Sequence, residues 1–138
     1  MCHKDRLSYV AQVLGEMQYN DLLQQVCRKT KNVLIAGNPK GRQRPEYYLE
    51  LAWPSQRLGE VSDAIDFYER ALDLNYANVY WRMDFAEFLA QNGRPQKAAE
   101  QARICLRIKP GFDRAEGLLA ELLTPERIEP LRGFFLLL

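Results

Sequence analysis

The chain has 138 residues, 47% of them hydrophobic and 27% charged, with 19 Lys and Arg against 18 Asp and Glu. That is the composition of one soluble globular domain, and the near-neutral balance gives no reason by itself to expect a polyanionic partner. No early apolar run follows Met1 as in a signal peptide, and no stretch nears the ~18 consecutive apolar residues of a membrane span. The three cysteines (Cys2, Cys27 and Cys105) are odd in number, far apart and without a CxxC. Reduced thiols and a cytoplasmic setting are the expectation.

The first 44 residues predict a helical hairpin, with one helix from about Leu7 to Met17 and a second from about Asn20 to Ala36. Leu22, Leu23, Val26, Val33, Leu34 and Ile35 give the second helix a patchy apolar face, and Gly37 to Arg44 is the connection onward. Charge is uneven along the chain: residues 1–44 carry eight Lys/Arg against three Asp/Glu, and residues 45–138 carry eleven against fifteen. The clusters Arg28-Lys29-Thr30-Lys31 and Lys40-Gly41-Arg42-Gln43-Arg44 could meet nucleic acid or an anionic membrane face. They lack interleaved aromatics or a recognised binding motif, and such runs are more often a solvated helix end plus a loop.

From Pro45 the chain repeats itself. Pro45–Asn78 and Val79–Phe112 are two abutting 34-residue units, and superposing them puts Ala52 on Ala86, Gly59 on Gly93, Ala64 on Ala98, Ala71 on Cys105, Leu72 on Leu106 and Leu74 on Ile108. A 34-residue period is that of a helix–turn–helix repeat. In the first unit Tyr48, Leu51, Ala52 and Leu58 form an apolar face, Gly59 follows as a left-handed turn residue, and Ser62-Asp63 opens a second helix carrying Ala64, Ile65, Tyr68, Ala71 and Leu72. The second unit has Phe85, Ala86 and Leu89, a turn at Asn92-Gly93, and Pro95 in the first turn of a helix lined by Ala98, Ala102, Cys105 and Leu106. The alanines belong where paired helices approach closely. Trp53-Pro54 lies inside a predicted helix, where proline costs about 3 kcal/mol; it marks either a kink presenting Trp53 or a helix that merely bends.

Asp113 is an N-cap candidate for a last helix, and Ala115, Leu118, Leu119, Leu122 and Leu123 form its apolar stripe. Thr124-Pro125-Glu126 could open a short helix that Pro130 stops. The closing Gly133-Phe134-Phe135-Leu136-Leu137-Leu138 either folds back on the domain, mates with another chain or marks where a longer protein was cut.

These residues resemble the tetratricopeptide repeat (TPR) family. The first unit matches its pattern with Tyr48, Leu51-Ala52, Gly59, Ala64, Tyr68 and Ala71, but has Tyr76 where proline is usual. The second matches with Ala86, Gly93, Ala98 and Pro110, and departs with Phe85 for Leu, Ala102 for the aromatic and Cys105 for Ala. Placing Ser8–Gly41 in the same frame suggests a third, degenerate repeat, with Leu14-Gly15, Cys27 and Pro39 in register but Lys31 in the aromatic slot. The resemblance implies an all-α fold: a short right-handed α-solenoid of antiparallel helix pairs, about three repeats plus a cap. Its parts would be residues 8–41, 45–78 and 79–112 as repeats, 113–123 as the capping helix and 124–138 as a tail.

Catalytic chemistry has little to work with. The one histidine, His3, stands beside Cys2 at a terminus, and no GxGxxG, GxxxxGK[ST] or HExxH occurs. The expectation is a non-enzyme without metal or cofactor, binding a partner on a groove. By the resemblance, that groove holds Glu46, Leu49, Glu50, Trp53, Gln56 and Arg57, then Tyr80, Met83, Asp84, Glu87, Ala90 and Gln91. The degenerate repeat would add Tyr9, Gln12, Val13, Glu16 and Tyr19, and the last helix Arg114, Leu118 and Glu121. Some family members clamp a partner's C-terminal carboxylate with paired Lys and Asn, and that clamp is missing. Glu50, Asp84 and Glu87 favour a basic or aromatic-rich peptide or helix, anchored on Trp53, Tyr80 and Met83. The bland alternative is a set of solvated helix residues. The competing functional readings are an adaptor, a repeat module of a larger multidomain or membrane-associated protein, and an anionic-surface binder working through the basic N-terminal part.

Overall fold

The computed structural model describes residues 3–37 and 43–123, and these contain six helices and no strand. They are α1 (His3–Gly37), α2 (Pro45–Arg57), α3 (Val61–Leu74), α4 (Val79–Gln91), α5 (Pro95–Ile108) and α6 (Asp113–Leu122). Each 34-residue unit contains one helix pair, α2 with α3 and α4 with α5, and α6 closes the last pair. The architecture is an all-α, TPR-like solenoid.

The pairs turn where glycine permits it. Gly59 and Gly93 have φ of 73° and 72°, the left-handed region that costs a residue with a Cβ about 1–2 kcal/mol. After α2, the Gly59 amide donates to the Gln56 carbonyl at 3.1 Å and the Glu60 amide to the Ser55 carbonyl at 3.0 Å, so two end carbonyls are satisfied in a Schellman turn. After α4 the Arg94 amide donates to the Leu89 carbonyl at 2.9 Å in the same manner. Pro95 opens α5 at its first position, where its missing N–H goes unneeded. Asn78 caps α4, its side-chain oxygen accepting from the Trp81 amide at 3.1 Å.

Small residues fix the helix spacing. Ala52, Ala64, Ala71, Ala86, Ala98, Ala102 and Cys105 have no exposed surface, and the larger Leu51, Met83, Phe85 and Leu89 fill what remains. The second unit departs from the repeat pattern at buried slots. Phe85, in the place of a leucine, stacks on Tyr68 of the preceding unit with ring centres 5.1 Å apart, while Ala102 replaces an aromatic.

Two expectations, the first hairpin and the Asp113 cap, meet a different outcome, and a third concerns Pro54. The hairpin predicted before Gly37 is one continuous 35-residue helix, in whose second half Cys27 is buried and Leu23, Lys31 and Leu34 are partly buried. Pro54 does not break α2; it sits buried near the helix end, leaving one carbonyl a turn earlier without its amide partner, and the Leu58 amide still donates to its own carbonyl at 3.0 Å. Asp113 is the first residue of α6 rather than its cap, which is Phe112, without a side-chain bond. The tail from residue 124, with Phe134–Leu138, and the basic residues Lys40 and Arg42 lie outside the described residues.

A Cβ built on Gly93 meets nothing within 4 Å, so Gly93→Ala tests backbone conformation alone. Urea unfolding should show a loss of about 1 kcal/mol with an unchanged m-value. The buried Ser55 hydroxyl has no hydrogen-bond partner. Ser55→Ala is expected to be neutral or slightly stabilising in the same assay.

Candidate functional site

The candidate site is the face of α2 and α4, the first helices of the two pairs, together with the closing helix α6. On α4, Tyr80, Asp84 and Glu87 follow at four- and three-residue steps and share one side of the helix. Arg114, in the first turn of α6, reaches across to them. Its Nη2 donates to Asp84 Oδ1 at 3.0 Å and to Glu87 Oε1 at 2.9 Å, and its Nε donates to Glu87 at 3.3 Å. These groups are partly solvated, so the pairs add little stability, of order 0–1 kcal/mol each. Their effect is to set one positive charge between two carboxylates, which lowers but does not cancel the negative charge of a face expected to be acidic.

Two exposed aromatic rings lie on the first helices, Trp53 on α2 and Tyr80 on α4. Trp53 is 48% exposed, and the Arg57 guanidinium lies 5.4 Å from its ring centre. Tyr80 is 56% exposed and meets Phe112 edge-on at 5.7 Å, with the Lys109 ammonium 5.5 Å from its ring centre. Between α2 and α4 the Tyr68 hydroxyl donates to Gln56 Oε1 at 3.1 Å. Glu46 and Glu50 are exposed on α2, outside the Arg114 cluster.

The expected groove residues therefore divide. Glu46, Glu50, Trp53, Arg57, Tyr80 and Asp84 are exposed; Leu49 and Glu87 are partly buried, Leu49 packed against the core. Met83 is fully buried and cannot anchor a ligand, because it lies one residue off the side that Tyr80 and Asp84 present and points into the core. Leu118 is likewise buried. On α1, Gln12 and Glu16 are exposed and bonded to each other at 3.3 Å, Val13 is partly buried and Tyr19 exposed. Tyr9 lies in α1, its side chain outside the described residues.

Sequence reasoning missed how Arg114 is used, although the signal was there. Arg114 occupies the second position of its unit and Asp84 and Glu87 the sixth and ninth of theirs, adjacent slots across a repeat boundary. Lys31 was misread in the same way. Grouped by sequence with a basic cluster, it bonds Glu60 and, at 2.9 Å, Asp63 at the start of α3, and lies 5.6 Å from the Phe67 ring centre. It fills the aromatic slot of the frame with a cation that the next unit's acids hold. Arg82 is also structural: buried on the other side of α4, it donates to Gln101 at 2.6 Å and to the Tyr76 carbonyl at 2.8 Å.

Among the described residues no group of three or more His, Cys, Asp and Glu could hold a metal ion, and no helix is long and apolar enough to cross a membrane. Cys27 and Cys105 are free thiols, both buried, and burial pushes the Cys105 thiol up, away from the reactive thiolate.

No family model and no curated protein matches the sequence. Solved structures do. Two structures of MamA align at TM-scores of 0.61 and 0.63 with 23% and 20% identity, covering 82% and 91% of this chain. The chain spans 61% of the first MamA structure and 80% of the second. The type III secretion chaperone SycD of Yersinia enterocolitica, in complex with a peptide of the translocator YopD, aligns at 0.56 with 16% identity, covering 86% of this chain and 92% of SycD. The class these describe is the TPR-like helical solenoid. At these identities the likeness is one of fold.

Burial first, then the charges of Asp84 and Glu87, push the Tyr68 phenol up to about 12. An unfolded tyrosine loses its proton near pH 10, so above that the unfolded chain binds fewer protons than the folded one. This contribution is intact below about pH 10 and falls away as pH rises toward 12. Tyr68→Phe, having lost the Gln56 bond, should melt lower than the parent at pH 8. The gap should narrow between pH 10 and 12, followed by circular dichroism melts.

Proposed function

We infer that this chain is a non-catalytic protein-interaction module that binds a peptide or helix on the face shared by α2, α4 and α6. The observation that carries the reading is the pairing of two half-exposed aromatics, Trp53 and Tyr80, with a polar centre whose charges are prearranged by Arg114. Rigid aromatics next to oriented charges are what peptide recognition uses: large contact area at low entropic cost, with ionic groups fixing register. That SycD is a chaperone seen with a peptide of its translocator supports the reading by likeness of fold.

The favoured ligand is basic or aromatic-rich. Glu46 and Glu50 are open to a cation, and a ligand arginine or lysine could take the place of Arg114 between Asp84 and Glu87. A polyanion is served less well, because Lys31 is committed to Glu60 and Asp63.

Peptides selected from a displayed random library against the immobilised full chain test this. They should be enriched in Lys, Arg and aromatics, and quench Trp fluorescence on titration. Trp53→Ala combined with Glu50→Lys should weaken them at least tenfold. Arg114→Ala, which frees two carboxylates, should strengthen the basic ones. Selected peptides that bind the doubly substituted chain as well as the parent would place the ligand on another surface.

A further inference from the structure

Helix α1 carries two apolar stripes that point in different directions. Val10, Leu14 and Met17 run along one side of its first half, and Leu22, Val26 and Val33 along one side of its second half; all six are more than half exposed. At 3.6 residues per turn the two stripes are rotated by roughly 140° around the helix. Neither is the side that docks on α2 and α3, which carries Leu23, Cys27, Lys31 and Leu34.

That rotation decides between the ways of covering them. A straight helix from a second copy lies along one side of α1 and can cover one stripe, not both. Folding α1 back on itself near Gln18-Tyr19-Asn20 turns the first stripe onto the second and buries both at once. An antiparallel fold centred there sets Met17 against Leu22 and Leu14 against Val26. Gly15 adds a weak point nearby: it is a mid-helix glycine whose missing side chain faces open space. The second half of α1 already stands on α2 as the second helix of a preceding pair would, and the first half is the first helix that pair lacks.

We propose that α1 is a two-state element, the continuous helix being its open state and a hairpin hinged at residues 18–20 its closed state. Closing exchanges a few helical hydrogen bonds at the hinge for burial of six apolar side chains. It also adds a third first-helix beside α2, bringing Gln12 and Glu16 toward the end of the face that bears Glu46 and Glu50. The open state instead leaves the Leu22–Val26–Val33 stripe as a seat for a helix. Two arrangements of one segment that differ by little in free energy are a known basis for switching.

Spin labels at Val10 and Val33 of the full-length chain read the two states by double electron–electron resonance. In the continuous helix the sites are about 35 Å apart at 1.5 Å per residue. In a hairpin they fall to roughly 10–15 Å, near the spacing of packed helices. The expected result is a short-distance population that persists when labelled protein is diluted with unlabelled protein. It should grow with Tyr19→Pro, which breaks the continuous helix, and shrink with Val26→Asp. A single distribution near the long distance overturns the proposal, and so does a short distance that vanishes on dilution, since a second copy would then supply it. Val26 is solvent-exposed in the open state, so unchanged helicity and melting of Val26→Asp verify that the stack remains folded.

Discussion

The close approach of helices at alanine sets the rest of this structure. Ala52 and Ala86 on the first helices, and Ala64 and Ala98 on the second, have no exposed surface and recur at the same place in each unit. A methyl at these points lets two helix backbones near each other, so larger neighbours interdigitate at native density. The left-handed glycines after α2 and α4 set the angle at which the second helix returns. Repeat the same contacts after 34 residues and a stack follows, each unit burying the face its predecessor leaves open.

What the stack makes available is a row of positions at fixed spacing on consecutive first helices. Asp84 and Glu87 on one and Arg114 on the next meet because the repeat places them side by side. Trp53 on α2 and Tyr80 on α4 are both half exposed. The core beneath is aromatic where units join, with Tyr68 of one unit packed against Phe85 and Phe88 of the next. Tyr68 thus ties the interior to the surface: its ring stacks in the core while its hydroxyl reaches Gln56 near the charged face.

The repeat was legible in the sequence because it depends on residue size and period, and both survive in the letters. Ala52 over Ala86 and Gly59 over Gly93 were enough to place four helices. The face was legible in outline only. A rule of slots put Met83 beside Tyr80 and Asp84, and a one-residue step around α4 turned it into the core. Charge was the least legible property, since a sequence counts Asp84, Glu87 and Lys31 as free charges, and their partners are 27–32 residues away. For α1 the letters describe two helices with separate apolar sides, while the local propensities of residues 17–20 contain no glycine or proline to force the turn.

The most direct test of the account is the size constraint at the repeated alanines. Ala64→Leu and Ala98→Leu, measured by urea unfolding beside Ala120→Leu on the exposed side of α6, separate close packing from helix propensity. Forced separation of the helices should cost about 1–3 kcal/mol at each buried site, with the exposed control nearly neutral. Buried leucines accepted without loss of stability would contradict it, because the helices would then have no need to approach so closely.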